Sequence, residues 1–292
     1  MSTRCSPTSE LANWLRVTGV NQGLVVELVS SGLDAREARW LVEEFATGGE
    51  LDDLSALYAA AQRRRDGEPI QYVIGHWPFR SLDLDVDSRV LIPRPESEEL
   101  VGVALSELAR RDVRAPVIMD LGCGSGAIGL ALISELLERG VAATLIAVDE
   151  TSDALDVARE NASKHGLHAV SFVQSSWFED LDGSLRGRVD LIVANPPYVG
   201  ALEFEDLEEV LRHEPLSAIV ARDAHGVVGF EDLDAIISGA PDWLRPSGTL
   251  ICEHSNAHRT PVLDAAMRAG FNCVDDLVDM AGHPRILVAR RT

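Results

Sequence analysis

The chain has 292 residues, 46% hydrophobic and 25% charged, enough for a large core and a second, smaller unit. A net charge of −21 argues against a stable nucleic-acid binder, whose affinity comes largely from Lys and Arg on phosphates. No apolar run reaches the length of a membrane span, the N-terminus "MSTRCSPTSE" lacks a signal peptide's apolar segment, and Cys5, Cys123, Cys252 and Cys273 have neither metal nor disulfide spacing. A cytoplasmic monomer without metal or membrane association is expected, and its acidity suits a basic protein partner or none.

Residues 1–65 read as helical. In "GLDAREARWLVEEFATGG", Ala38, Leu41, Val42 and Phe45 recur at helical spacing; Asp34 is the expected N-cap with Glu37 three residues on, and Gly48-Gly49 closes the segment. "LDDLSALYAAAQRRRDG" repeats the pattern, with Asp52 or Asp53 near its start and Gly67 past its end, so a small helical bundle is predicted. Its "RRR" (63–65) reads as a solvated helix end. Over 68–95, the alternation in "SLDLDVD" and the turn-formers around Gly75 and Pro78 predict a short hairpin linking two domains.

From residue 96 onward strands and helices alternate. Strands are predicted at 117–121, 144–149, 170–174, 189–194, 249–253, 273–279 and 285–290, and helices at 96–110, 127–138, 152–165, 229–244 and 259–269. The pattern implies an α/β fold, a Rossmann-like doubly wound sheet of seven strands over 96–292. The last two strands are too close for a crossover helix and should form an antiparallel hairpin.

"DLGCGSGAIGLAL" (120–132) reads as strand, tight turn and helix start. Gly122, Gly124 and Gly126 let the backbone approach a ligand closely, and the helix start offers unpaired N–H groups. Alone, the loop fits a nicotinamide or an adenosylmethionine site equally. Asp120 stands where a positively charged ligand group could be held, and Asp149, 23 residues after Gly126, where a carboxylate can accept from ribose hydroxyls. Cys123 sits in the loop, where a helix N-terminus would lower its pKa.

The second distinctive stretch is "VANPPYVG" (193–200). Proline cannot donate to a ladder, so the apolar strand must end there. Asn195 offers an amide oxygen, Pro196 and Pro197 rigid carbonyls, and Tyr198 a flat ring, a set suited to clamping a planar NH₂ group. Such a nitrogen is a poor nucleophile because its lone pair is delocalised; acceptors at the Asn195 side chain and the Pro196 carbonyl would aim it at a methyl donor.

Together, "GEPIQYVIG", "LIPRPESEELV", "DLGCGSG", "AVDET" and "NPPY" resemble the peptide chain release factor glutamine methyltransferases, the HemK-like family, over nearly the whole chain and most strongly over 67–215. The resemblance implies a class I S-adenosylmethionine-dependent methyltransferase that methylates the side-chain nitrogen of a glutamine, the last residue of the Gly-Gly-Gln motif of class-1 release factors. It implies that residues 1–67 help dock the release factor and 68–95 are a linker. It also implies that Gly122, Cys123, Gly124, Ser125 and Gly126 wrap the cofactor's methionine part, Asp149 holds its ribose and Trp177 lies near its adenine. Asn195 would touch cofactor and substrate, and Pro196, Pro197 and Tyr198 the glutamine amide. The chain departs from the family at Cys123 and Ser97, where threonine is usual, at "ARDAHGVVGFEDLDAI" (221–236), and at "CEHSNAHR" (252–259), which keeps Glu253 without a following glutamine.

Other readings are an adenine-N6 nucleic-acid methyltransferase sharing the same clamp, a paralogue methylating another protein glutamine, and a non-catalytic cofactor-binding module. A dehydrogenase would leave Asn195 to Tyr198 unexplained. Glu253, His254 and His258 lack metal-site spacing.

Overall fold

The apolar runs of the C-terminal two-thirds become the strands of one sheet. The computed structural model describes residues 22–45, 54–204 and 209–291, and the chain divides into two compact units after Gly75. In the first unit, helices α1 (22–30), α2 (Ala35–Phe45), α3 (Leu54–Arg65) and α4 (Ile70–Ile74) bury Leu28, Leu41, Val42, Leu57 and Ile70 in one cluster. Asp34 caps α2 as expected, its Oδ1 accepting from the Arg36 N–H at 2.8 Å, which satisfies an otherwise orphaned helix donor. The arginine run is less free than expected: Arg63 bonds Glu68 at 2.7 Å, Arg64 bonds Glu37 at 2.9 Å, and Arg65 bonds Ser31 at 2.8 Å. The expected features at Gly48-Gly49, Asp52 and Asp53 lie outside the described residues.

The second unit begins with the hairpin β1 (His76–Phe79) and β2 (Leu82–Asp85), whose Phe79, Leu82 and Leu84 join the core of this unit. The chain continues through α5 (Pro95–Arg110), β3 (Val117–Leu121), α6 (Ala127–Glu138), β4 (Thr144–Asp149), α7 (Ser152–Lys164), β5 (Val170–Gln174) and β6 (Val189–Ala194). After the short β7 (Val199–Gly200), α8 (Ala201–Phe204) and β8 (Val220–Ala221) come α9 (Glu231–Trp243), β9 (Leu244–Glu253), α10 (Arg259–Arg268), β10 (Cys273–Val278) and β11 (Pro284–Arg290).

Seven strands form the sheet in the order β10-β11-β9-β6-β3-β4-β5; β10 and β11 make the antiparallel hairpin the sequence predicts, and β11 is also antiparallel to β9. All six residues of β6 are buried because helices cover both faces of a central parallel strand. Side chains alternate between the two layers: Ile118, Leu191 and Val193 pack with α5, α6 and α7, while Met119, Ile192 and Ala194 pack with α9 and α10. The order reverses between β3 and β6, since the chain runs outward from β3 to β5 and returns to the other side of β3. Open α/β sheets bind ligands in the crevice at such a switch point. Among the described residues no helix is long and apolar enough to cross a membrane.

Helix α6 shows how tightly the sheet centre is built. Its N-cap is Gly126, which has no capping side chain; Asp120, at the end of β3, instead accepts from the Gly129 N–H at 2.9 Å. A Cβ on Gly129 would stand 2.8 Å from Asp120 Oδ2 and 2.8 Å from a Leu145 methyl. Gly-to-Ala normally stabilises a helix interior by about 1 kcal/mol, but here overpacking reverses the sign. Gly129→Ala is therefore expected to destabilise the protein by about 1–3 kcal/mol in urea denaturation.

Candidate active site

The glycine loop and the Asn-Pro-Pro-Tyr turn leave the carboxyl ends of β3 and β6, adjacent strands in register through Leu121 and Ala194. A cavity of about 250 Å³ lies there, and Gly122, Gly124, Asp149, Trp177, Asn195 and Pro197 are all on its wall.

The loop is clamped to its neighbours. The Cys123 N–H donates to the Val148 carbonyl at 2.9 Å, and the Gly124 N–H donates to Asp149 Oδ2 at 2.9 Å. Asp149 Oδ1 accepts from the Thr151 N–H and hydroxyl, both at 3.1 Å, so three of roughly four acceptor positions on this carboxylate are filled. Gly122 has φ +69°, and a Cβ there would meet the Trp177 ring at 3.3 Å. Trp177 itself adopts φ +48°, a conformation costing a non-glycine residue roughly 1–2 kcal/mol. Its indole N–H donates to Asp232 Oδ1 at 3.1 Å, which presents the ring to the cavity.

Asp120, Cys123, Ser125 and Gly126 stand behind the wall. Asp120 is 1% exposed; burial raises its carboxyl pKa to about 7, and its Oδ1 has no partner. It braces α6 from below instead of presenting a carboxylate to the cavity. The Cys123 thiol is pushed up by burial and by the charges of Asp120 and Asp149, correcting the expected drop: the group lies under the loop, out of the helix-terminal field. The Ser125 carbonyl accepts from Asn161 Nδ2 at 2.9 Å.

In the second turn, Asn195 Nδ2 donates to Ser97 Oγ at 3.2 Å, and Ser97 Oγ donates to Glu253 Oε2 at 2.8 Å. Pro196 is buried, Pro197 is on the wall, and Tyr198 packs into the layer of α9 and α10. The Tyr198 phenol adjoins Glu253, and burial together with that negative charge pushes its pKa up to about 12. It is a proton-retaining hydroxyl at any working pH. The cluster 254–258 is hydrogen-bonded elsewhere: His254 to Asp276 at 3.2 Å, and His258 to the Val228 carbonyl at 2.7 Å.

Sequence reasoning missed four contributors. Asp232 orients Trp177. Arg89 lines the cavity and pairs with Asp87 at 2.7 Å. Glu214, fully buried, accepts from the Ile92 N–H at 3.0 Å and Arg94 at 2.6 Å, tying the "IPRP" strap to the segment after β7. Asn161 holds Ser125 and the Asp85 backbone together. Asn161 had a readable signal, a polar residue on the Ala154–Ala158–Ala162 stripe of α7. The others show only as charged residues in polar surroundings.

Comparison with known proteins agrees with this architecture. The profile of a family described as "Methyltransferase domain" matches residues 113–283. The release factor glutamine methyltransferase of Xylella fastidiosa strain Temecula1 is 39% identical over 232 residues, 80% of this chain and 80% of that protein. The Yersinia pestis protein of the same name is 38% identical over 264 residues, 90% of each chain. The N-terminal domain of human METTL16, solved in complex with SAH, superposes with a TM-score of 0.53 at 15% identity, covering 92% of this chain and 94% of that one, a likeness of fold. With two-fifths identity sustained over most of both chains, this protein belongs to the release factor glutamine methyltransferase family.

Proposed function

We propose that this enzyme methylates the side-chain amide nitrogen of the glutamine in the Gly-Gly-Gln motif of class-1 peptide chain release factors. Its standing as an S-adenosylmethionine-dependent protein-glutamine methyltransferase follows from family membership. The finer reading, with its residue roles, rests chiefly on one observation: Asn195 lines the cavity and its Nδ2 donates to Ser97, which would leave Oδ1 as the acceptor for a substrate.

The residues present fit the cofactor. The left-handed backbone at Gly122 and Gly124 keeps the loop free of side chains where the methionine part would lie, Asp149 retains an acceptor position for a ribose hydroxyl, and Trp177 offers a ring for the adenine. Asp120, Cys123, Ser125 and Gly126 support that loop from behind. When bound, the cofactor supplies an electrophilic methyl group on a sulfonium. The chain's own residues prepare the acceptor nitrogen. Asn195 Oδ1 and the Pro196 carbonyl would take the two amide hydrogens, favouring a pyramidal nitrogen with a localised lone pair. Pro197 stiffens the turn and Tyr198 bounds the glutamine side chain. Residues 1–67 would dock the release factor, and 68–95, whose α4 packs in the first unit and whose hairpin packs in the second, would link them to the methyltransferase residues 96–292. The net charge of −21 supports the absence of a stable nucleic-acid partner, and the enzyme is proposed to act as a cytoplasmic monomer.

Labelled S-adenosylmethionine tests this with three acceptors: a release factor, its Gly-Gly-Gln→Gly-Gly-Ala variant, and duplex DNA. Label is expected on the intact release factor alone. Label on the variant or on DNA overturns the reading, and label on none of them directs it to another protein glutamine.

A further inference from the structure

We infer that Ser97 and Glu253 form a one-way hydrogen-bond relay that sets the orientation of the Asn195 side-chain amide, making both of them positioning residues for methyl transfer. The inference rests on the role proposed above for Asn195. Its geometric basis is independent of the substrate.

Three elements converge to build the relay. Strands β6 and β9 pair in register at Ala194 and Cys252, so the next residues, Asn195 just past β6 and Glu253 at the end of β9, stand side by side. Ser97 comes from the first turn of α5 and lies between them. Ser97 and Glu253 are 3% and 2% exposed, so water does not compete for their bonds.

The direction follows from counting protons. A carboxylate only accepts, so the single Ser97 proton goes to Glu253 Oε2, 2.8 Å away. Ser97 then has only lone pairs to offer Asn195, 3.2 Å away, and only the NH₂ side of that amide can donate to them. The amide oxygen is turned the other way. Without the relay, no bond to Ser97 selects between the two flip states of the amide, and one of them presents NH₂ hydrogens to the hydrogens of an incoming glutamine.

The arrangement carries a pH signature. Besides Ser97, Glu253 faces Glu96 on α5, Arg285 on β11 and the Tyr198 phenol after β6. Burial is the largest influence and raises its pKa to about 6; Arg285 opposes the rise and Glu96 adds to it. Above that pH the carboxylate is ionised and the relay has its direction. Below it, protonated Glu253 can donate to Ser97, whose own proton is then free to turn toward Asn195 and reverse the amide. Turnover is thus expected to fall as pH drops through about 6.

The test uses Ser97→Ala, Ser97→Thr and Glu253→Gln in the full-length enzyme. Ser97→Ala should lower kcat about 10-fold, with KM for the release factor and donor affinity changed by less than about twofold, and should abolish the acid limb. Ser97→Thr keeps the hydroxyl and should restore both rate and limb. Glu253→Gln, neutral at every pH, should be slow throughout with no acid limb; Ser97→Ala decides the matter if that variant folds poorly. An unchanged kcat or a surviving limb in Ser97→Ala, or no rescue by threonine, overturns the inference. A second readout needs no substrate: the side-chain ¹⁵N amide resonance of Asn195, identified by its loss in Asn195→Ala. In wild type it should titrate with a midpoint near pH 6 and in Ser97→Ala it should not; a flat wild-type response overturns the relay. Because this resonance is read without a release factor, failure of the proposed substrate and failure of the relay give different results.

Discussion

Asn195→Ala is expected to lower the rate of methyl transfer about 10²–10³-fold while leaving the protein folded, the scale seen when one preorganised polar group is removed from an active site. The side chain sits past the end of β6 and is half-buried, so the substitution opens no core cavity. Its partner Ser97 keeps its bond to Glu253, and no buried donor is orphaned. A thermal melt close to wild type together with the collapse in kcat would establish that the amide acts on the reaction and not on the fold. Asn195→Asp should do no better than alanine. Its carboxylate would face Ser97, whose proton is already given to Glu253, and would place a second negative charge beside that buried carboxylate. Near-full turnover in Asn195→Ala would sink the clamp.

The second large effect is expected at Gly229, in the segment between β8 and α9. Gly229 is buried with φ +62°, and a Cβ there would stand 2.4 Å from the Tyr198 carbonyl oxygen and 3.0 Å from the Gly200 nitrogen. Both obstacles are backbone and cannot rotate away. The segment is itself pinned, because the Gly229 N–H donates to Asp223 Oδ1 at 3.0 Å and the Val228 carbonyl bonds His258 at 2.7 Å. Gly229→Ala must therefore push the Asn-Pro-Pro-Tyr turn, adding overpacking of about 1–3 kcal/mol to a left-handed penalty of about 1–2 kcal/mol. A loss of kcat of about 10-fold or more is expected alongside the lower stability, with donor affinity largely kept. Gly226 is the control: it has φ +78° but nothing within 4 Å of a Cβ, so Gly226→Ala should be nearly silent in turnover. Equal behaviour of the two variants would show that Tyr198 does not depend on this packing.

The sheet was readable from the sequence because its signals are local. Strand β6 is an apolar run broken only by Asp190 and stopped by the Asn-Pro-Pro turn, α6 opens on a glycine turn, and α7 ends at Lys164 with Gly166 in the left-handed conformation two residues on. Each is a statement about a few adjacent residues, where period, backbone freedom and missing donors act directly. The two loops that carry the chemistry were visible for the same reason. Glycine at φ > 0 and paired prolines announce unusual backbone.

Tertiary structure decided what those loops rest on. Asp120 looks in sequence like a ligand-facing carboxylate, but the crossing of β3 under α6 turns it to the Gly129 N–H and buries it. Cys123 looks like a thiol at a helix start, and packing beneath the loop with Asp120 and Asp149 makes it a protonated buried group. The 221–230 segment has no legible pattern of its own; its meaning is the approach of Gly229 to the Tyr198 backbone. Glu253 and Ser97 are 156 residues apart, and only the pairing of β6 with β9 beneath the start of α5 brings them to Asn195. Composition, periodicity and turn chemistry determined the seven strands of the main sheet, the long helices that cover it and the two loops at its centre, since those depend on neighbours in the chain. Which carboxylates are buried, which way an amide faces and where each proton sits depend on neighbours in space, and only the fold supplies them.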